Sequence, residues 1–213
     1  MPLDPVRLRL LAIADPTVLP WSDLVEAGAA ALSANLPALM IRDKQTPNTD
    51  LEPFAARLRE CAARHGALLV VNRRIDLAGA VNADGLHTGA DGPCPTEIRR
   101  RLGPDVLVGY SAHGVSEALE AFAVGADYVF LSPVFETPGK RGVFQPLGMA
   151  PLRELTRRAP GPVLALGGVD SSRVGTVLEA GASGVAAIRA VFASGDPAAA
   201  TRRLLGAFPS MSR

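Results

Sequence analysis

The sequence predicts a single α/β domain folded as an eightfold β/α barrel, a TIM barrel, over residues 1–213. Strand-like and helix-like segments alternate from end to end without a low-complexity linker. Eight short runs are apolar or β-branched throughout, as expected for strands covered on both faces. Eight strands each followed by a helix are what closes such a barrel. A doubly wound open sheet is the rival. It would carry G-x-G-x-x-G after the first strand, where this chain has Ala14-Asp15-Pro16-Thr17.

The predicted strands are Leu8–Ala14, Ala38–Arg42, Ala67–Asn72, Gly85–Thr88, Val106–Ser111, Tyr128–Ser132, Val163–Leu166 and Gly184–Ile188. Gly, Pro, Asp or Asn flank each run and punctuate it. Between them, Leu51, Phe54, Ala55, Leu58, Cys61 and Ala62 follow helical spacing, as do Val115, Ala118, Leu119, Phe122 and Ala123. Asp196-Pro197 offers an N-cap and an N1 proline for the last helix, and Gly181 a C′ stop for the one before it. The fourth and eighth helices have the weakest patterns.

A chain of 213 residues with 48% hydrophobic and 20% charged side chains can bury one large core. Twenty-two basic against 21 acidic residues give a net charge of +1. No basic block points to nucleic acid, and no apolar run is long enough to span a membrane. The start of the chain lacks the apolar core of a secretory signal, and Cys61 and Cys94 form neither a disulfide framework nor a zinc site. A reduced, cytoplasmic setting is expected. A homo-oligomer is compatible with the sequence.

In such barrels the C-terminal ends of the strands face a shared pocket. The run Tyr128 to Lys140 reads as a buried strand delivering Glu136, Thr137 and Lys140 to it. Strand two delivers Arg42 and Lys44 on one side of an extended chain, suited either to an anionic ligand or to salt bridges at the rim with Asp15 or Glu136. Strand three ends at Asn72, strand four brings His87, and strand five brings Ser111 and His113. Strands seven and eight end in Gly167-Gly168 and Ile188-Arg189. Asp170-Ser171-Ser172 is expected to open a helix whose free N–H groups could hold a phosphate; alternatively Gly167-Gly168 merely makes a tight turn. His113 sits at the predicted mouth as an acid/base candidate or as an ordinary local hydrogen-bond partner. His65 reads as a helix-end residue, and His87 as packing at a strand end. Together these features point to a small-molecule enzyme that holds a phosphorylated ligand.

The blocks Ile41-Arg42-Asp43-Lys44, Val71-Asn72, Asp84 to Gly89, Ser111-Ala112-His113, Gly125 to Val129, Thr137 with Lys140, Leu166 to Val169 and Gly181 to Ala186 resemble, in order and spacing, the thiamine phosphate synthase superfamily. The resemblance covers nearly the whole chain. It implies a TIM barrel of thiamine biosynthesis, with a thiazole phosphate held by loops six to eight. In the synthase branch a thiazole phosphate is coupled to a pyrimidine pyrophosphate, with Mg²⁺ neutralising the departing diphosphate. Arg73 and Gly92 stand where that branch places its two metal carboxylates. Met40 replaces its glutamine, and Thr137-Pro138-Gly139-Lys140 departs from its strand-six loop.

The stretch Asn72-Arg73-Arg74-Ile75-Asp76-Leu77-Ala78 is closer to the TenI-type thiazole tautomerases. That resemblance implies a metal-independent isomerase needing no cofactor, which aromatises a phosphorylated thiazole carboxylate. His113 would be its proton shuttle, with Glu136 assisting. Arg42, Lys44, Asn72, Ser111, Thr137 and Lys140 would bind substrate, with the backbone of Gly167, Gly168, Ile188 and Arg189 around the phosphate. Arg189 would either contact the phosphate or point away. Two alternatives stand beside it. One is a synthase using Mg²⁺ on displaced ligands, Asp91 and Asp76. The other is a non-catalytic regulator that kept the thiazole-phosphate pocket.

Overall fold

The computed structural model describes residues 5–137 and 145–209. A 3₁₀ turn at Pro5–Leu8 leads into strands β1 (Leu10–Ala14), β2 (Ala38–Ile41), β3 (Leu68–Asn72), β4 (Gly85–Gly89), β5 (Leu107–Ala112), β6 (Tyr128–Leu131), β7 (Val163–Leu166) and β8 (Gly184–Ala187). All pair in parallel and in sequence order, and Leu11 of β1 registers with Ala38 of β2 and Ala186 of β8, closing the barrel. The helices are α1 (Trp21–Ser33), α2 (Asn48–Arg64), α3 (Ile75–Ala80), α4 (Pro95–Leu102), α5 (Val115–Ala123), α6 (Met149–Arg158), α7 (Val174–Glu179), α8 (Arg189–Phe192) and α9 (Pro197–Gly206). No helix among the described residues is long and apolar enough to cross a membrane. The eightfold barrel expected from the sequence is the observed fold. The first strand begins two residues later than expected because Leu8 still belongs to the 3₁₀ turn.

Strand parity sorts the core into two layers. Leu11, Ile13, Ala38, Met40, Leu68, Val70, Leu107, Tyr128, Phe130, Leu164 and Ala186 pack together inside the barrel. The alternate residues, such as Leu10, Ala12, Leu39, Leu69, Leu86, Val108, Val129 and Val185, pack against the helices. Both faces are therefore apolar, which is why the strands read as continuous rather than alternating runs. Two carboxylates tie the N-terminal end together in the same way. Asp84, just before β4, accepts from the Leu69 N–H (2.8 Å) and from Arg59 (2.7 Å). Asp127, just before β6, accepts from the Val108 N–H (2.7 Å) and from Arg99 through both oxygens.

The helix signals are realised unevenly. Asp196 caps α9 by accepting from the Ala199 N–H (2.9 Å), and Gly181 follows α7 with φ +90°. Asp170 does not open a helix, however. Its carboxylate accepts from the Ser172 N–H and hydroxyl, making a local turn, and α7 begins only at Val174. Such a side-chain turn competes with helix initiation at the same residues.

One glycine sets the barrel's inner architecture. Gly109 on β5 registers with His87 on β4 and Tyr128 on β6. A Cβ there would overlap both the Tyr128 ring and His87 Nδ1. Glycine lets the two rings meet across the intervening strand. Gly109→Ala is therefore expected to destabilise the fold by about 1–3 kcal/mol, the usual cost of overpacking. A thermal melt unchanged from wild type would show that the two rings do not need the empty position.

Candidate active site

The interior positions at the C-terminal ends of β1 to β6 form a polar mouth above an aromatic floor. His87 is fully buried, stacks on Phe130 with ring centroids 4.2 Å apart, and touches Tyr128 at 5.6 Å. Its Nδ1 lies 3.2 Å from the Tyr128 hydroxyl and its Nε2 lies 2.7 Å from Ser111 Oγ. Burial, reinforced by nearby Arg73, lowers the imidazole pKa to about 3, so it is neutral. Burial likewise pushes the Tyr128 hydroxyl up, and it stays protonated.

Those facts assign the direction of the chain of hydrogen bonds. The buried Tyr128 O–H needs an acceptor, and His87 Nδ1 is the one beside it; leaving that hydrogen without a partner would cost about 1–3 kcal/mol. Nε2–H therefore donates to Ser111 Oγ. Ser111 is only partly buried, and its own hydrogen is left to donate into the mouth. Sequence reasoning gave His87 a packing role at a strand end and missed this connection. The available signal was the glycine in the middle of β5 between two ring-bearing positions.

Arg42 lies at the end of β2 and pairs with Asp15, whose side chain is only 3% exposed; Asp15 also accepts from the Thr17 N–H and hydroxyl. Of the two readings of Arg42, the rim salt bridge with Asp15 is present. It leaves the remaining guanidinium N–H groups available. Asp43 is buried and accepts from the Gln45 and Thr46 N–H groups (2.7 and 2.9 Å) and from the Trp21 indole (2.7 Å). Burial alone would raise its pKa, but these bonds together hold it at about 2. Asp43 thereby shapes the loop that presents exposed Lys44. Asn72 is buried at the end of β3, beside His87 in register.

The other expected residues are more scattered. His113 lies just past β5 with its side chain 42% exposed; its N–H donates to Glu117 (2.8 Å), and its ring is 3.8 Å from the same carboxylate. Glu136 is exposed and Thr137 half-buried in the loop after β6. Lys140 lies outside the described residues. Gly167 and Gly168 have φ of +99° and +66°, and a Cβ would come within 2.8 Å of Pro133 and 2.6 Å of the Glu136 carbonyl, respectively. The glycine pair thus lets loop seven lie directly on loop six, with the Phe135 N–H donating to the Gly167 carbonyl. Ile188 lines the barrel interior, and Arg189 is exposed as the first residue of α8.

Residues 10–191 match the family model described as thiamine monophosphate synthase. The chain belongs to this family. A thiamine-phosphate synthase of Gloeobacter violaceus is 40% identical over 182 residues, covering 85% of this chain and 53% of the relative. The thiamine-phosphate synthase of Shouchella clausii is 37% identical over 205 residues, covering 96% and 98%. The chain thus spans about half the length of the first relative and nearly all of the second. The solved structure of thiamine phosphate pyrophosphorylase from Pyrococcus furiosus superposes with a TM-score of 0.85 at 32% identity, covering 95% of this chain and 96% of that one.

These relatives overturn the expected tautomerase, and with it the isomerase assignment. Identity along the whole barrel follows proteins named as synthases, a transferase class. Of the departures from the synthase pattern, Met40 is on β2 and Thr137 follows β6, whereas two, Arg73 and Gly92, lie in one corner, the loops after β3 and β4. There Arg73 pairs with Asp91 at 3.5 Å, and Gly92 has no room for a side chain, because a Cβ would overlap Thr88 Oγ1.

That corner does not fit a magnesium ion. Asp91 is 86% exposed and faces a guanidinium. Asp76, the other displaced ligand considered, lies on α3, where it pairs with Arg101 of α4 and is 72% exposed. Among the described residues no group of three or more His, Cys, Asp or Glu side chains could hold a metal. A hard dication needs several oxygen ligands converging on one point.

The buried histidine makes the fold acid-sensitive. Its folded pKa lies below its ordinary 6.5, so between pH 6.5 and about 3 the unfolded chain binds a proton that the barrel does not. Stability is full above that window and falls with pH inside it, by about 1.4 kcal/mol per unit. Asp43, also lowered, adds its own loss only as pH falls below 3.8 toward 2. Chemical denaturation at pH 7, 6, 5 and 4 should reveal the first slope, and His87→Gln should flatten it. An equal slope in the variant would remove His87 as its source.

Proposed function

We propose that this protein joins a thiazole phosphate to hydroxymethylpyrimidine pyrophosphate, forming thiamine phosphate and releasing pyrophosphate. The observation carrying this reading is the 37% identity to a thiamine-phosphate synthase over 98% of that relative's length. The thiazole nitrogen donates its electron pair to the pyrimidine's methylene carbon, and a C–N bond forms. The C–O bond to the diphosphate breaks, and its electron pair leaves with the diphosphate.

The chain's residues suit that displacement. Two anionic substrates meet a mouth supplied with Arg42 and Lys44. Ser111, held by neutral His87 at 2.7 Å, offers a donor from a rigid floor. The ends of β7 and β8, with Gly167, Gly168, Ile188 and Arg189, lie where barrels of this kind hold a phosphate, next to the short helix α8. Thr137 and Glu136 border the same side, and Lys140 follows them in the sequence. Holding both substrates in one pocket supplies much of the acceleration by orientation alone.

Purified protein given both substrates should release pyrophosphate and form thiamine phosphate in equal amounts. Ser111→Ala should lower kcat by about 10²-fold if its hydroxyl stabilises developing charge. Failure to release pyrophosphate in buffers with and without Mg²⁺ would sink the synthase reading.

A further inference from the structure

The corner that fails as a metal site is organised around a different charge. Arg73 follows directly on β3 and has φ +64°, a conformation that non-glycine residues seldom adopt. Its N–H donates to the His87 carbonyl (2.8 Å), which ties this turn to β4. The turn carries the side chain across the end of β4. Arg73 Cγ lies 3.4 Å from where a Gly92 Cβ would be, and Nη2 lies 3.5 Å from where a Gly89 Cβ would be. That second point is also 3.8 Å from Ser111 Cβ. The side chain thus lies over Gly89 and Gly92, and Gly89 is the residue that registers with Ser111 on β5.

Its neighbour Arg74 is already committed. Arg74 donates to the carbonyls of Asp43 and Thr46 and to Asn48 Oδ1, and lies 3.6 Å from the Asp43 carboxylate. Among the described residues, the ion pair of Arg73 is instead a long, solvent-exposed contact with Asp91 at 3.5 Å. Exposed pairs of that kind are weak and readily exchanged for a stronger anion. Lys44, exposed at the end of the adjoining strand β2, adds a second positive charge to the same side of the mouth.

We propose that Arg73 binds the diphosphate of the pyrimidine substrate and takes up its charge as the C–O bond breaks, so that condensation needs no divalent cation. The inference rests on the synthase reading. A guanidinium keeps its proton at any working pH and presents paired N–H donors that match two phosphate oxygens. Electron flow is that of the displacement itself: the pair leaving with diphosphate oxygen is stabilised by N–H donors, and no proton or further reactant is consumed. The left-handed turn, tied to the His87 carbonyl, directs the side chain across the end of β4 before the charge develops.

The test uses the full chain in excess EDTA, with Arg73→Asn, which tolerates the left-handed backbone, and Arg73→Lys as the conservative variant. Circular dichroism and melting confirm that each is folded. Thiamine phosphate should form in EDTA at a rate within about threefold of that in millimolar Mg²⁺, and Arg73→Asn should lower kcat by about 10²-fold, with partial recovery in Arg73→Lys. Inorganic pyrophosphate, titrated calorimetrically in EDTA, should bind wild type at least tenfold more tightly than Arg73→Asn. Turnover that requires Mg²⁺, or pyrophosphate affinity indifferent to Arg73, overturns the proposal. No product under either condition overturns the synthase reading instead, and the pyrophosphate titration then decides whether Arg73 binds diphosphate.

Discussion

An eight-stranded barrel has an interior that side chains must fill, and the manner of filling decides how deep a site its open end can hold. Here the lower layers are aliphatic, from Leu11, Leu68, Leu107 and Leu164. Above them Tyr128, His87 and Phe130 form a plug that exists only because Gly109 stands between β4 and β6. The plug is polar yet uncharged, since burial keeps the imidazole neutral. It ends in one outward-facing hydroxyl, that of Ser111. The depth of the mouth and the single fixed donor on its floor follow from the same packing constraint.

Around that floor the acids are already engaged. Asp15 holds Arg42, and Asp43 is surrounded by backbone N–H groups, the Trp21 indole and Arg74. A buried carboxylate that orients a guanidinium lowers the ordering cost that the guanidinium would otherwise meet on binding a ligand. The mouth is thus built from cations that are positioned in advance. This differs from a metal site, where carboxylates converge with their free oxygens pointing inward.

The barrel was legible because strand parity is a local property. Runs such as Leu39-Met40-Ile41 show burial on both faces without any knowledge of the neighbouring strand, and the same parity placed Arg42, Asn72 and Ser111 at the mouth. The contact between His87 and Tyr128 was not legible. It spans three strands and requires the register, which periodicity does not supply. Asp170 misled for a related reason: its side chain suits both an N-cap and a local turn, and only the surrounding chain decides. The glycines at 167 and 168 proved to serve loop six first, because the closest approach there is made by the protein's own backbone.

The misread reaction has a physical cause as well. Loss of two metal carboxylates removes only one means of neutralising a departing diphosphate. A guanidinium supplies charge and directed N–H donors without any ligand shell of its own. Among the described strand-end residues, Ser111, Arg42 and Arg73 carry hydroxyl or guanidinium donors. The one imidazole inside the barrel has both nitrogens engaged, with Tyr128 and Ser111. Donors fixed around a point stabilise negative charge that appears there. Such donors suit the synthase reading, in which an anion leaves, and the identity to proteins named as synthases is what favours it.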